Sequence, residues 1–392
     1  MTSVYTSPAP TPLAGARQHI GWVDAMRVLA CLMVVLSHCC DGFVAQFDAD
    51  RASFLTGTAV GSLMRPCVPL FAMMTGVLLL PVPDSTTLGS FYSKRLMRLV
   101  WPLVFWSLAL PCAAYLYFAV GPGIATANPS VDMSAYTPEG LTTRLWTWLL
   151  NFNFDTTPLW YLYMLVGLYF VIPVVGAWLR TASRRDVATF LKVWAITLFV
   201  PYIKLLAPFA GYPGNYGNMD VFGGCDWNAF TAFHYVSGFI GYIVLAYYLK
   251  TYPLAWSRAR KCAILIPMFL AGYAITFGGY VAIQGFYPGD YAYLEIIWLF
   301  TGVNVMMMTV PVFVAIQSSG VRHSAAMQRL AGLTFGIYLC HFFFVMVGYD
   351  LFNIPGLPYI VRIAAMCVFA FTASALLVWL LQLWRPTARL VK

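Results

Sequence analysis

The sequence predicts an all-α polytopic membrane protein, a bundle of about ten transmembrane helices with both termini cytoplasmic. Three observations carry that prediction. Of 392 residues, 61% are hydrophobic and 9% charged, against roughly a quarter charged in a soluble chain. The apolar residues come in continuous runs of roughly 20, the length that crosses a ~30 Å hydrocarbon core as a helix, without the period-two alternation of a β-barrel strand. The cations cluster in alternate gaps between those runs, the bias that marks cytoplasmic segments.

Residues 1–19 are read as a cytoplasmic tail: they are polar, rich in Pro, Ser and Thr, and lack the apolar core of a cleavable signal. The first span is expected at about 20–42, followed by an acidic gap with Asp48 and Asp50, and the second at 59–81. Lys94, Arg95 and Arg98 mark the return to the cytoplasm before the third span, 97–120. A long outer loop with Asp132 and Glu139 leads to the fourth, 158–179, which ends on Arg180, Arg184 and Arg185. The fifth, 187–206, opens into the loop APFAGYPGNYGNMDVFGGCDWNA (207–229) with Asp220 and Asp226. Its Gly, Asn and aromatic content suits contact with a polar ligand and equally suits a plain connector. The sixth span, 229–249, ends on Lys250, Arg258, Arg260 and Lys261. The seventh, 262–284, is followed by Asp290; the eighth, 292–316, by Arg322 and Arg329. The ninth, 331–349, and the tenth, 359–384, flank Asp350, and the chain closes on a basic tail, RPTARLVK (385–392). No repeat links the two halves and no soluble domain is appended, so 20–384 reads as one membrane domain.

The net charge of +9 is accounted for by topology, so nucleic acid is not an expected partner; the bilayer is. The nine cysteines show no metal-ligand spacing, and no metal or bound cofactor is expected. Most lie inside apolar runs as small packing residues. Cys39, Cys40 and Cys225 fall towards the outer side, where the disulfide state stays open.

The first span breaks the apolar rule. GWVDAMRVLACLMVVLSHCC carries Asp24 and Arg27 at one end and His38 at the other. Arg27 and His38 are eleven positions apart, about three helical turns, which puts both on one face about 16 Å apart. Asp24 and Asp41 stand three residues outside each, on the same face. Singly, Arg27 reads as well as a snorkelling anchor and His38 as an interfacial residue. Together they point to a stripe facing the bundle interior. A histidine there can take a proton from a hydroxyl, with Asp41 orienting its other nitrogen.

Arg-x10-His in a first helix, here within DAMRVLACLMVVLSH, resembles the signature of the acyltransferase-3 family of membrane acyltransferases. RPCVPLFAMMTGVLLL (65–80), FYSKRLMRLVWPLVFWS (91–107), PLWYLYMLVGLYFVIPVV (158–175) and GLTFGIYLCH (332–341) match in order. The resemblance spans nearly the whole chain, 20–384, and is nearest to the branch containing the enterobacterial-common-antigen O-acetyltransferase. It implies transfer of an acyl group, most simply acetyl, from cytoplasmic acyl-CoA as co-substrate to a hydroxyl of a cell-surface polysaccharide or glycolipid, at the bacterial inner membrane. Succinyl stays open as the acyl group. Under that reading His38 is the general base with Asp41, and Arg27, Arg95 and Arg98 bind the donor. Arg95 and Arg98 lie one turn apart, the spacing of a bidentate phosphate site; by themselves they are equally topology signals. A covalent relay through Tyr161, Tyr163 or Ser37 stays open.

Acceptor-side candidates are Arg65, placed at the outer start of the second span; Trp160, a sugar platform or an interface-belt aromatic; and His234 near the outer end of the sixth. Glu295 and His341 complete that set, the first near the outer face and the second half-way along the ninth span beside Tyr338. The fourth-span motif departs from the family pattern: Pro158, after Thr156 and Thr157, stands where relatives often carry a polar residue, and that role is missing or moved to Asp155 or a threonine. The competing class is a transporter or flippase for a glycan or lipid-linked intermediate. Against it, the sequence shows neither two-half symmetry nor a matched pair of broken spans. A scaffold subunit is the third class.

Overall fold

The computed structural model describes residues 20–212, 214, 221–224, 231–322 and 324–392. Cys225 and most of the 207–229 loop, on which the sequence reading placed expectations, lie outside the described residues. Among the described residues the regular structure is helical throughout. The first group comprises α1 (Gly21–His38), α2 (Asp41–Val44), α3 (Arg51–Met64), α4 (Cys67–Leu79), α5 (Leu88–Tyr115) and α6 (Pro138–Thr147). Next come α7 (Trp160–Thr181), α8 (Arg184–Thr197), α9 (Val200–Leu206), α10 (Ile240–Thr251) and α11 (Arg258–Phe286). The last are α12 (Tyr291–Trp298), α13 (Val303–Gln317), α14 (Ala325–Ala331), α15 (Thr334–Phe352), α16 (Tyr359–Gln382) and α17 (Arg385–Ala388).

Nine segments among the described residues are long and apolar enough to cross a membrane. In the stretch expected as the sixth span the helix recorded is α10, only 12 residues long. The starts are set locally by side chains that accept orphan backbone N–H groups. Asp50 accepts from Ser53 N, Thr87 from Ser90 N, Ser257 from Arg260 N and Asp290 from Ala292 N. Ser183 and Asp186 form a reciprocal capping box at α8.

Two expected spans are broken, and the breaks meet. The second runs from Arg51 to Leu79, and Pro66, which has no N–H to donate, interrupts it between α3 and α4. Arg65 therefore sits at a mid-segment break and not at the outer start expected for it. The eighth breaks between α12 and α13, where Asn304 Nδ2 donates to Ile297 O at 2.7 Å and Thr276 Oγ1 at 2.9 Å. Arg65 donates from Nε (2.9 Å) and from Nη2 to Trp298 O, the last residue of α12. A cation on a terminal carbonyl opposes the negative end of the helix dipole. Its guanidinium lies 3.9 Å from the Phe300 ring centroid and 5.1 Å from that of Trp298, so cation–π attraction adds to the junction.

α1 is the hub, packing against α3, α4, α13, α14, α15 and α16. Its neighbour α4 crosses α10 in near-backbone contact at Gly76, where any Cβ would stand 2.3 Å from Ile243 O. Lys250 Nζ adds a 2.7 Å bond to Val77 O near the end of α4. The C-terminal residues are packed: Trp106 Nε1 donates to Leu390 O at 3.0 Å and Val391 is fully buried.

Candidate active site

His38 is the last residue of α1, and the chain turns at once into α2, which opens on Asp41. The turn brings Asp41 Oδ2 to 2.8 Å from His38 Nδ1. The carboxylate only accepts, so Nδ1 carries the proton and Nε2 is left with its lone pair, the tautomer a general base needs. His38 lines a narrow cavity with room for about one water, with Asp41, Asn128, Ser130, Phe154, Phe342 and Tyr349 among its walls. The His38 side chain keeps 22% of its surface accessible, so it is reached without being solvated freely.

The wall opposite α1 comes from the loop after α5. Asn128 Oδ1 accepts from Ser130 N at 3.0 Å, which fixes the amide orientation and leaves Nδ2 as the donor end. Asp350 holds this loop by accepting from Thr126 Oγ1 at 2.5 Å and from Tyr117 OH at 2.9 Å. Phe154 is held by its neighbour Asp155, whose side chain is fully buried and pairs with Arg144 Nη1 at 2.7 Å and Tyr136 OH at 2.8 Å. Burial and then the Asp155 charge push the Tyr136 phenol well above its ordinary range, so it stays a donor to that carboxylate. Asp155 is thus committed to a clamp. Thr156 and Thr157 bond locally to Asn153 and Phe154, and Pro158 O accepts from Tyr338 OH.

His341 lies behind His38, ring centroids 5.4 Å apart, with no exposed surface. It does not line the cavity. None of the other acceptor-side candidates lines that cavity. Arg65 is committed to the Trp298 carbonyl. Trp160 stacks on Phe300 at 5.6 Å and 15°. Glu295 is exposed on α12, within electrostatic reach of Arg65 and Asp41. His234 is exposed with its ring edge-on to Tyr235. Tyr161 is buried against Phe71 and Tyr338, and Tyr163 OH donates to Trp148 O.

At the other end of α1, Arg27 Nη1 stands 3.8 Å from Asp24 Oδ1 with 37% of its side chain accessible. Arg95 is half-buried, 5.9 Å from the Phe91 ring centroid, and Arg98 is exposed one turn on. Both lie within electrostatic reach of Tyr169 on α7.

A family model described as an acyltransferase domain, that of acyltransferase-3, matches residues 20–379. The chain belongs to that family. It is a multi-pass membrane acyltransferase. No curated protein and no solved structure matches it.

Several residues of the acyltransferase's His38 cavity were beyond sequence reasoning. Phe342 and Tyr349 looked like ordinary apolar-span residues. Asn128 and Ser130 sit in a loop whose only local signal is the turn-forming ANPS. Asp41→Asn is expected to slow turnover, since the amide no longer fixes the His38 tautomer. The loss should fall short of the ~10⁴-fold seen for a buried orienting carboxylate, because Asp41 is 40% accessible. Steady-state kinetics of the purified variant measures it.

Proposed function

We propose that the protein is an inner-membrane O-acyltransferase that moves an acyl group, most simply acetyl, from cytoplasmic acyl-CoA to a hydroxyl of a cell-surface polysaccharide or glycolipid. The observation that carries this reading is the His38–Asp41 pair, its Nδ1–H held and its Nε2 lone pair available beside a cavity. An acceptor hydroxyl gives its proton to Nε2 as its oxygen attacks the thioester carbonyl. The C–O bond forms, the C–S bond breaks, and the thiolate leaves with the electron pair and regains a proton. Asn128 Nδ2 is a donor on the cavity wall for the oxyanion that develops. Arg95 and Arg98, with Arg27, bind the phosphates of CoA from the cytoplasmic side, while its thin arm reaches into the bundle. The motif resemblance to the common-antigen branch supports acetyl as donor and a glycan as acceptor.

The two broken segments are a feature shared with transporters. Here their junction is filled by Arg65, Trp298 and Phe300, and the family membership favours acyl transfer. The test is release of free CoA thiol by the detergent-purified protein given acetyl-CoA or succinyl-CoA. Arg95→Ala and Arg98→Ala are each expected to raise the KM for acyl-CoA about 10–100-fold, the loss of one charge-assisted contact of ~1.5–3 kcal/mol, with kcat little changed. A wild type that binds neither thioester contradicts the donor assignment.

A further inference from the structure

The His38 cavity has room for about one water, so it admits the reacting hydroxyl of an acceptor and not the sugar that carries it. The body of the acceptor must rest on a neighbouring surface, and Asp41 leads to one. Its Oδ2 holds His38 Nδ1 at 2.8 Å in the cavity wall, while its side chain stays accessible. Within electrostatic reach of Asp41, α12 presents Tyr291 and Glu295, one turn apart on one face and both exposed. Glu295 lies inside a membrane-crossing segment. An ionisable side chain there faces water or the bundle interior and not lipid, so its exposure marks a water-filled vestibule at the outer end of α12. Phe47, just after α2, packs on Tyr291 with ring centroids 5.5 Å apart, which ties the α2 side of that vestibule to α12.

Tyr280 is an independent sign of a ligand there. It is fully buried on α11, its ring centroid 4.2 Å from that of Trp298, and its hydroxyl has no hydrogen-bond partner. The groups within electrostatic reach of that hydroxyl are Glu295, Tyr291, Arg65 and Asp41. An orphaned phenol donor beside a carboxylate that is not bonded to it leaves a gap for a group that accepts from one and donates to the other. A hydroxyl is such a group. The cation in reach, Arg65, is buried and gives Nε and Nη2 to Trp298 O, so the vestibule offers a ligand carboxylates and phenols.

We propose that Asp41, Glu295, Tyr280 and Tyr291 form the acceptor subsite and that the sugar it takes is uncharged. One sugar hydroxyl enters the His38 cavity. Others accept from Tyr280 OH and donate to the Glu295 and Asp41 carboxylates, with the exposed Tyr291 ring against the sugar's C–H face. A sugar bearing a carboxylate or phosphate meets two like charges and is excluded. The inference rests on the acyl-transfer reading above.

The test follows acetyl transfer from acetyl-CoA to two glycolipid mimics, octyl glucoside and its anionic counterpart octyl glucuronide, by the full-length protein in a sugar-free detergent. Acetyl-CoA binding and thermal unfolding are measured on the same samples. Wild type is expected to use the glucoside at least about tenfold better in kcat/KM. Glu295→Gln is expected to raise the KM for the glucoside about 10–100-fold, the loss of a bond to a charged group, and Tyr280→Phe about 2–10-fold, the loss of a neutral one. Acetyl-CoA affinity stays unchanged in both. Glu295→Arg is expected to shift the preference towards the glucuronide. Equal or better use of the glucuronide by wild type, an unchanged KM in both Glu295→Gln and Tyr280→Phe, or a folded Glu295→Arg protein that keeps the wild-type preference would each overturn the subsite. So would transfer to neither mimic by a protein that binds acetyl-CoA. A wild type that does not bind acetyl-CoA overturns instead the donor reading beneath it. Tyr280→Phe keeps its ring against Trp298, so it reports even where a change of charge at Glu295 prevents folding.

Discussion

His38→Ala is expected to abolish measurable acyl transfer, with a loss of about 10²–10⁴-fold for the missing general base, while acyl-CoA still binds. The separation of the two effects follows from where the residues sit. His38 ends α1 at a cavity walled by Asn128, Phe154 and Phe342, whereas the cations assigned to the donor lie on α5 and at the start of α1. Alanine leaves Asp41 without its 2.8 Å partner, but Asp41 is 40% accessible and is solvated instead, so the fold should survive. Thiol release and acyl-CoA binding on one preparation check both halves. Equal loss of binding and turnover would place His38 in the donor site instead.

Asp155→Ala is expected to be the costliest single change outside the chemistry, destabilising by about 3–5 kcal/mol, the cost of breaking a buried ion pair from one side. Arg144, only 12% accessible, would keep its charge with Ala135 O as its remaining hydrogen-bond partner, and Tyr136 would lose its acceptor. Turnover should fall as well, because Phe154 next to Asp155 forms part of the His38 cavity. Replacing both partners, Asp155→Leu with Arg144→Leu, should cost less than the single change, since no unpaired charge is left buried. Thermal unfolding in detergent measures all three variants. An Asp155→Ala protein as stable as wild type would mean that the clamp holds nothing.

Much of this was legible along the chain where the information is local. The helical face shared by Arg27 and His38, and Asp41 three residues beyond, follow from the pitch of one helix. The span pattern follows from composition and charge. Helix breaks were less legible. Pro66 was visible inside its apolar run, yet the break at Leu299–Gly302 depends on Asn304 and on Arg65, which lies 233 residues away from Trp298 in sequence. Neither hydropathy nor motif spacing carries such a contact. For the same reason the bonds from Arg65 Nε and Nη2 to the Trp298 carbonyl could not be read from the sequence. The cavity walls were illegible too: Asn128, Phe154 and Tyr349 become neighbours of His38 through Asp350 and the Asp155 clamp. His341 stood out as a histidine in an apolar span, but its placement against His38 required the packing of α15 on α1.

The central claim is a donor on the cytoplasmic face and chemistry at His38. The most direct measurement supplies acyl-CoA to sealed membrane vesicles of either orientation that contain the protein and its native acceptor. Transfer of a labelled acetyl group to membrane glycan or glycolipid is followed in wild type and His38→Ala. The account predicts label only in inside-out vesicles, where the cytoplasmic face is presented, and none in His38→Ala of either orientation. Label from right-side-out vesicles, or undiminished label in His38→Ala, would contradict it.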